Sequence, residues 1–92
     1  FRPDGSVIYA SNIFLEMLGY KLEEIAGQHH RIFCEKNYAS TADYSRFWQK
    51  LADGHPQSGL FRRLRKDGNL VLIEATYIPV QNQDGKVIEI IK

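Results

Sequence analysis

The rhythm of hydrophobic and polar positions changes twice along the chain. Residues 6–10, and later 60–65, 70–80 and 86–92, form short runs of β-branched, aromatic and aliphatic side chains with strand character. Each run stands beside an Asp-Gly pair, Asp4-Gly5, Asp67-Gly68 or Asp84-Gly85, where glycine accepts the positive φ that a hairpin turn requires. With a stub of strand before Asp4, the pattern predicts about five antiparallel strands.

Between residues 11 and 54 the period-2 alternation disappears and helix punctuation takes over. Asn12 is placed to cap a short helix whose Phe14, Leu15 and Leu18 share a face, with Gly19 closing it in a left-handed conformation. A second short turn over 21–26 stops at Gly27. The strongest helix covers 41–53: Ser40 with Asp43 resembles a capping box, Tyr44, Phe47, Trp48 and Leu51 recur at i, i+3, i+4 and i+7, and Gly54 ends it. The order is strand pair, helical stretch, three-strand meander, which predicts an α+β domain with short helices and one longer helix on one face of an antiparallel sheet.

Composition agrees with one small folded domain. Hydrophobic residues make up 43% and charged residues 25% of 92 residues, enough for a single modest core and no second one. A net charge of +1 supplies no global field to draw in nucleic acid or an anionic membrane. No apolar run reaches the length of a membrane span, and the start at Phe1 lacks the regions of a signal peptide. The single cysteine, Cys34, excludes an internal disulfide and fits a reducing compartment, so the cytoplasm is the predicted location. The chain opens in what reads as its first strand and stops inside its last, which predicts a domain excised from a longer protein.

The landmarks Asp4-Gly5, Asn12, Leu18-Gly19-Tyr20, Glu24-Ile25, Gly27, Lys66-Asp67-Gly68, Pro79-Val80 and Asp84-Gly85 follow one another along the whole chain in an order that resembles the PAS superfamily. The stretch Gly27 to Cys34, with Tyr44, Phe47-Trp48, Leu51, Gly54, Gly59 and Arg62-Arg63, is similar to PAS domains of bacterial chemoreceptors of the aerotaxis and biofilm-dispersion type. The resemblance implies a sensory module with an interior ligand pocket, homodimeric through PAS–PAS contacts and joined to a downstream effector in the same chain. The same modules occur in histidine kinases and diguanylate cyclases, so a ligand-free interaction domain is the alternative.

Candidate pocket residues are His29, His30, Tyr44, Trp48, Arg63 and Tyr77. His29 and His30 are adjacent and in an extended segment point to opposite sides, so at most one of them faces a buried pocket and the two make a poor chelating pair. The resemblance implies two cofactor possibilities, haem with His30 or His29 as axial ligand, and FAD beside Trp48 on the long helix. Light-reactive relatives carry a cysteine three residues after the glycine matching Gly27, and here that residue is His30; Cys34 lies four residues further on and reads as a small buried hydrophobe. Where flavin-binding relatives place an asparagine, this chain has Arg63, which donates hydrogen bonds and accepts none.

No nucleophile and base stand at a recognised spacing, so no enzyme is predicted. The basic run Arg62, Arg63, Arg65 and Lys66 splits between two faces of a strand, Arg63 and Arg65 with Phe61, Arg62 with Leu60 and Leu64. That is a solvated strand surface rather than a nucleic-acid stripe, with one arginine on the pocket side able to hold a carboxylate in bidentate fashion.

Overall fold

The computed structural model describes residues 1–92. Helices α1 (Asn12–Leu18), α2 (Leu22–Ile25), α3 (Lys36–Ala39) and α4 (Ala42–Ala52), with a 3-10 turn at His30–Phe33 before α3, precede strands β1 (Gln57–Leu64), β2 (Leu70–Gln81) and β3 (Val87–Ile91). The strands form one antiparallel sheet in the order β1-β2-β3.

Caps sit one residue away from where the sequence placed them. Ser11 rather than Asn12 caps α1, its hydroxyl accepting from the Phe14 amide at 3.3 Å. Thr41 rather than Ser40 caps α4, accepting from the Tyr44 amide at 3.3 Å, while Ser40 closes α3 by donating to the Asn37 carbonyl. The amphipathic stripe of α4 buries Tyr44, Phe47, Trp48 and Leu51, all four. At roughly 1.5–3 kcal/mol for each large apolar side chain removed from water, this stripe fastens α4 to the rest of the domain.

The sheet has three strands, not about five. The Asp4-Gly5 turn does form, with the Arg2 amide donating to the Ser6 carbonyl at 2.8 Å. The residues after it run beside the loop that follows α2 instead of joining the sheet: the Val7 amide donates to the Gln28 carbonyl at 2.8 Å and the Gly27 amide to the Val7 carbonyl at 2.9 Å. Ser6 and His29 form a single bridge. Only Val7 of this segment enters the core, and Ile8 and Tyr9 stay exposed. The stub before Asp4 contributes one pairing, Phe1 with Ile90.

Alternation along β2 turns Ile73 and Tyr77 inward and leaves Leu72, Glu74, Thr76 and Ile78 outside. The register pairs Phe61 with Ile73 and Arg63 with Val71, so Phe61 and Arg63 also face the helices. In β3 the partner of Val80 is Glu89 and that of Gln81 is Val87. Ile88 is therefore an additional residue, and this bulge lets Val87 and Ile90, three positions apart, both point inward.

Two clusters fill the space between helices and sheet. One is Val7, Leu18, Ile25, Phe33 and Ile73; the other is Cys34, Tyr44, Phe47, Trp48, Leu51, Tyr77, Val87 and Ile90.

Candidate functional site

The second cluster encloses His30. The 3-10 turn that carries it begins at His29, whose Nδ1 accepts from the Arg31 amide at 3.0 Å and whose Nε2 donates to the Asp4 carbonyl at 2.8 Å. That pair of bonds assigns His29 the neutral Nε2–H tautomer. The His30 amide donates to the Gly5 carbonyl at 2.8 Å, so the first turn of the chain clamps both histidines. Gly5 at φ +94 passes directly under the His29 ring, and a Cβ there would meet Nε2 at 2.5 Å. No other residue fits that approach.

His30 is fully buried. Its Nδ1 lies 2.8 Å from the Tyr44 hydroxyl and its Nε2 3.0 Å from the Tyr77 hydroxyl. Arg63 Nη2 donates to the same Tyr77 oxygen at 3.1 Å. Arginine only donates, and an assignment that satisfies all three contacts runs from Arg63 to Tyr77, from the Tyr77 hydroxyl to His30 Nε2, and from His30 Nδ1–H to Tyr44. Cys34 Sγ stands 3.8 Å from His30 Nδ1 at the end of this chain.

Burial, followed by the positive charges of Arg63 and Lys92, holds the His30 pKa well below its ordinary value, so the ring is neutral at pH 7. Burial raises the pKa of Tyr44, of Cys34 and, against the opposing charge of Arg63, of Tyr77. Lys92 lies with its Nζ 4.1 Å over the Phe14 ring; burial, then the charge of Arg63, lowers its pKa to about 8.

Arg63 is the least ordinary member. It is 2% exposed, packs its guanidinium 4.8 Å from the centre of the Phe61 ring and donates through Nη1 to the Arg62 carbonyl at 3.0 Å. Its Nε has no acceptor. Of the four ion pairs in the structure none includes Arg63; the nearby Glu35 carboxylate pairs with Arg62 at 3.5 Å. An unpaired buried charge is a large destabilising element.

His30, Tyr44, Trp48, Arg63 and Tyr77 thus share one interior cluster, and His29 stands outside it at the rim of an open groove lined by Asp4, Tyr44, Trp48 and Gln49. Trp48 meets His30 edge-on at 5.2 Å, and its buried Nε1 has no hydrogen-bond partner. Phe61 and Cys34 are members that sequence reasoning did not put in the pocket. Phe61 shares the strand face of Arg63, a signal available in the alternation; Cys34 follows His30 by one turn of a helix too short to leave a period.

Haem or flavin would enter this cluster only by displacing side chains that now fill it. His30 has both ring nitrogens bonded to tyrosines, and axial ligation of haem needs one of them released. The rings of Phe47, Trp48, Phe61 and Tyr77 pack edge-on at 5.0–6.4 Å, so a planar cofactor in this cluster would have to part them. No cluster of three or more His, Cys, Asp or Glu is placed to hold a metal ion.

The chain belongs to the PAS fold family, whose model matches residues 7–92. It is 40% identical over all 92 residues to the biofilm dispersion protein BdlA of Pseudomonas aeruginosa and 28% identical over 81 residues to the aerotaxis receptor of Escherichia coli. The chain spans 22% of the first and 16% of the second, while 100% and 88% of the chain itself are covered. Among solved structures, an RNA-binding light-oxygen-voltage receptor superposes with a TM-score of 0.79 at 27% identity, covering 96% of this chain and 24% of the other. A PAS domain from Colwellia psychrerythraea gives 0.77 at 20% identity, over 94% of this chain and 72% of the other, a likeness of fold. No helix is long and apolar enough to cross a membrane.

Proposed function

We propose that this chain is the sensory module of a bacterial signalling protein, a chemoreceptor first of all, and that the His30 cluster is where a small ligand, or a change in oxygen or redox state, is read. The observation that carries this reading is Arg63, a charge kept buried with an open donor and no carboxylate partner. Such a group weakens the fold, and its retention without a partner points to a role other than stability. The similarity to BdlA and to the aerotaxis receptor agrees with a signalling context. Tyr77 links the cluster to the middle strand of the sheet, so a ligand that rearranges the Arg63–Tyr77–His30 chain biases the strand whose other face is exposed.

Native mass spectrometry of the chain isolated from its own host tests this reading. An additional small-molecule mass is expected, and it disappears in Arg63→Met. A second reading rests on the outer face of the sheet, where Leu60, Leu72, Ile78 and Ile91 are exposed. There the module is a ligand-free dimerisation domain, of the kind joined to histidine kinases or diguanylate cyclases, and it binds a second copy of itself. A dimer of unliganded chains, unaffected by Arg63→Met, is the result that replaces the first reading with the second.

A further inference from the structure

We infer that a cleft between α3 and the edge of β1 is an entry site for a small organic acid, whose carboxylate is received by the Nε edge of Arg63. The inference rests on the sensory reading above and specifies its ligand class. The cleft, about 360 Å³, is lined by Glu35, Tyr38, Leu60, Phe61, Arg62 and Arg63. It therefore abuts Arg63, whose covered Nε a ligand would reach by displacing part of the cleft wall.

Three features select a carboxylate. First, two Arg63 nitrogens already have acceptors, Nη1 the Arg62 carbonyl and Nη2 the Tyr77 hydroxyl, and only Nε lacks one. The Nε–Nη2 edge of a guanidinium is a fork that receives a carboxylate side-on, and Nη2 carries a second proton beyond the one given to Tyr77. Second, the acid at the mouth is already neutralised: Glu35 pairs with Arg62 at 3.5 Å, so its charge is offset at the rim and Arg63 remains without a counter-ion. Third, the walls beside Arg63 include Phe61 and the ring of Tyr38, which suit an apolar body behind the charged head. A neutral amide of the same shape presents an NH₂ to a donor and loses half of the fork.

Benzoate and its isostere benzamide are the probes, with acetate and succinate completing a carboxylate series. The readouts are the Arg63 Nε–H resonance in a nitrogen-correlated spectrum of the chain and, for the variants that lack it, the backbone amide resonances of Tyr38 and Phe61 in the cleft wall, titrated with each compound. At least one carboxylate is expected to move that resonance downfield with a Kd of about 1 mM or tighter. Benzamide is expected to bind the parent chain, and benzoate the Arg63→Met variant, at least tenfold more weakly than benzoate binds the parent. Arg63→Lys, which keeps the charge and loses the fork, is expected to fall between. Glu35→Gln, by removing the acid at the mouth, should tighten carboxylate binding severalfold.

Equal binding of benzoate and benzamide, or benzoate affinity unchanged in Arg63→Met, overturns the inference. So does silence of the Nε–H resonance across the whole carboxylate series. A neutral co-purifying ligand found together with that silence removes the organic acid and leaves the sensory reading standing. Carboxylate binding at Arg63 in a chain that carries no ligand from its host keeps the cleft and moves the fault to the sensory reading.

Discussion

The two halves of the core are built on different principles. Val7, Leu18, Ile25, Phe33 and Ile73 make a cluster with no polar group in it, whose stability is the ordinary product of removing apolar surface from water. A few ångströms away, Tyr44, Tyr77, Cys34 and Trp48 surround His30 and Arg63, and here burial works against the fold as well as for it. Both are sealed by the same strand, since β2 sends Ile73 into the first and Tyr77 into the second. The lesson is a division of labour: one half can hold the domain together, which frees the other to keep groups that cost stability.

If that division is real, substitutions in the two halves must behave differently. Phe33, fully buried against Phe14 and Tyr20, belongs to the apolar half, and Phe33→Ala should lose about 3–5 kcal/mol in urea denaturation. A loss below about 1 kcal/mol would mean that the apolar half is not the anchor.

The polar half should show itself in pH dependence. His30 and His29 both have folded pKa values below the ordinary 6.5, so the unfolded chain binds more protons than the folded one below that pH. Their contribution to stability is complete above pH 6.5 and declines as pH falls, by at most about 1.4 kcal/mol per pH unit for each histidine until its folded pKa is reached. Thermal unfolding between pH 7 and pH 5 should follow this slope, and His30→Leu should flatten it. A His30→Leu profile as steep as that of the parent assigns the dependence elsewhere.

Gly5→Ala probes the clamp over the histidines. Its φ of +94 and the His29 ring 2.5 Å from the added Cβ predict a loss of about 1–2 kcal/mol, together with faster exchange of the His30 amide. The smallest effect, and the sharpest contrast with Phe33, is expected at Arg63. Replacing an unpaired buried charge by Met removes a desolvation penalty while Tyr77 keeps His30 as a partner, so Arg63→Met should leave stability unchanged or raise it by about 1 kcal/mol. A loss of more than about 2 kcal/mol would make Arg63 a structural residue and dissolve the comparison.

What could be read before the structure follows the range of the interactions. The stripe of α4 is a local period, and all four of its residues are buried. The Asp67-Gly68 and Asp84-Gly85 turns are local as well, and both join neighbouring strands of the meander. Residues 6–10 carry equally good strand chemistry, yet their partner is the loop around Gln28, and no local pattern tells a strand which backbone it will meet. The short 3-10 turn and α3 complete too few turns to leave a period. At the site, alternation put Arg63 and Phe61 on one face of β1 without saying which face is inside. The His30 bonds join positions 14 and 47 residues away, a convergence that only the folded chain makes visible.

The bulge in β3 also governs how the chain tolerates changes of length. Because Ile88 is the additional residue, deleting it leaves Val87 and Ile90 pointing inward on a straight strand. One residue deleted from β2 between Ile73 and Tyr77 has the opposite outcome, turning one of the two cores inside out. Length variation among related sequences should therefore collect at Ile88 and be absent from the middle strand, a signature of the fold that can be seen without any structure.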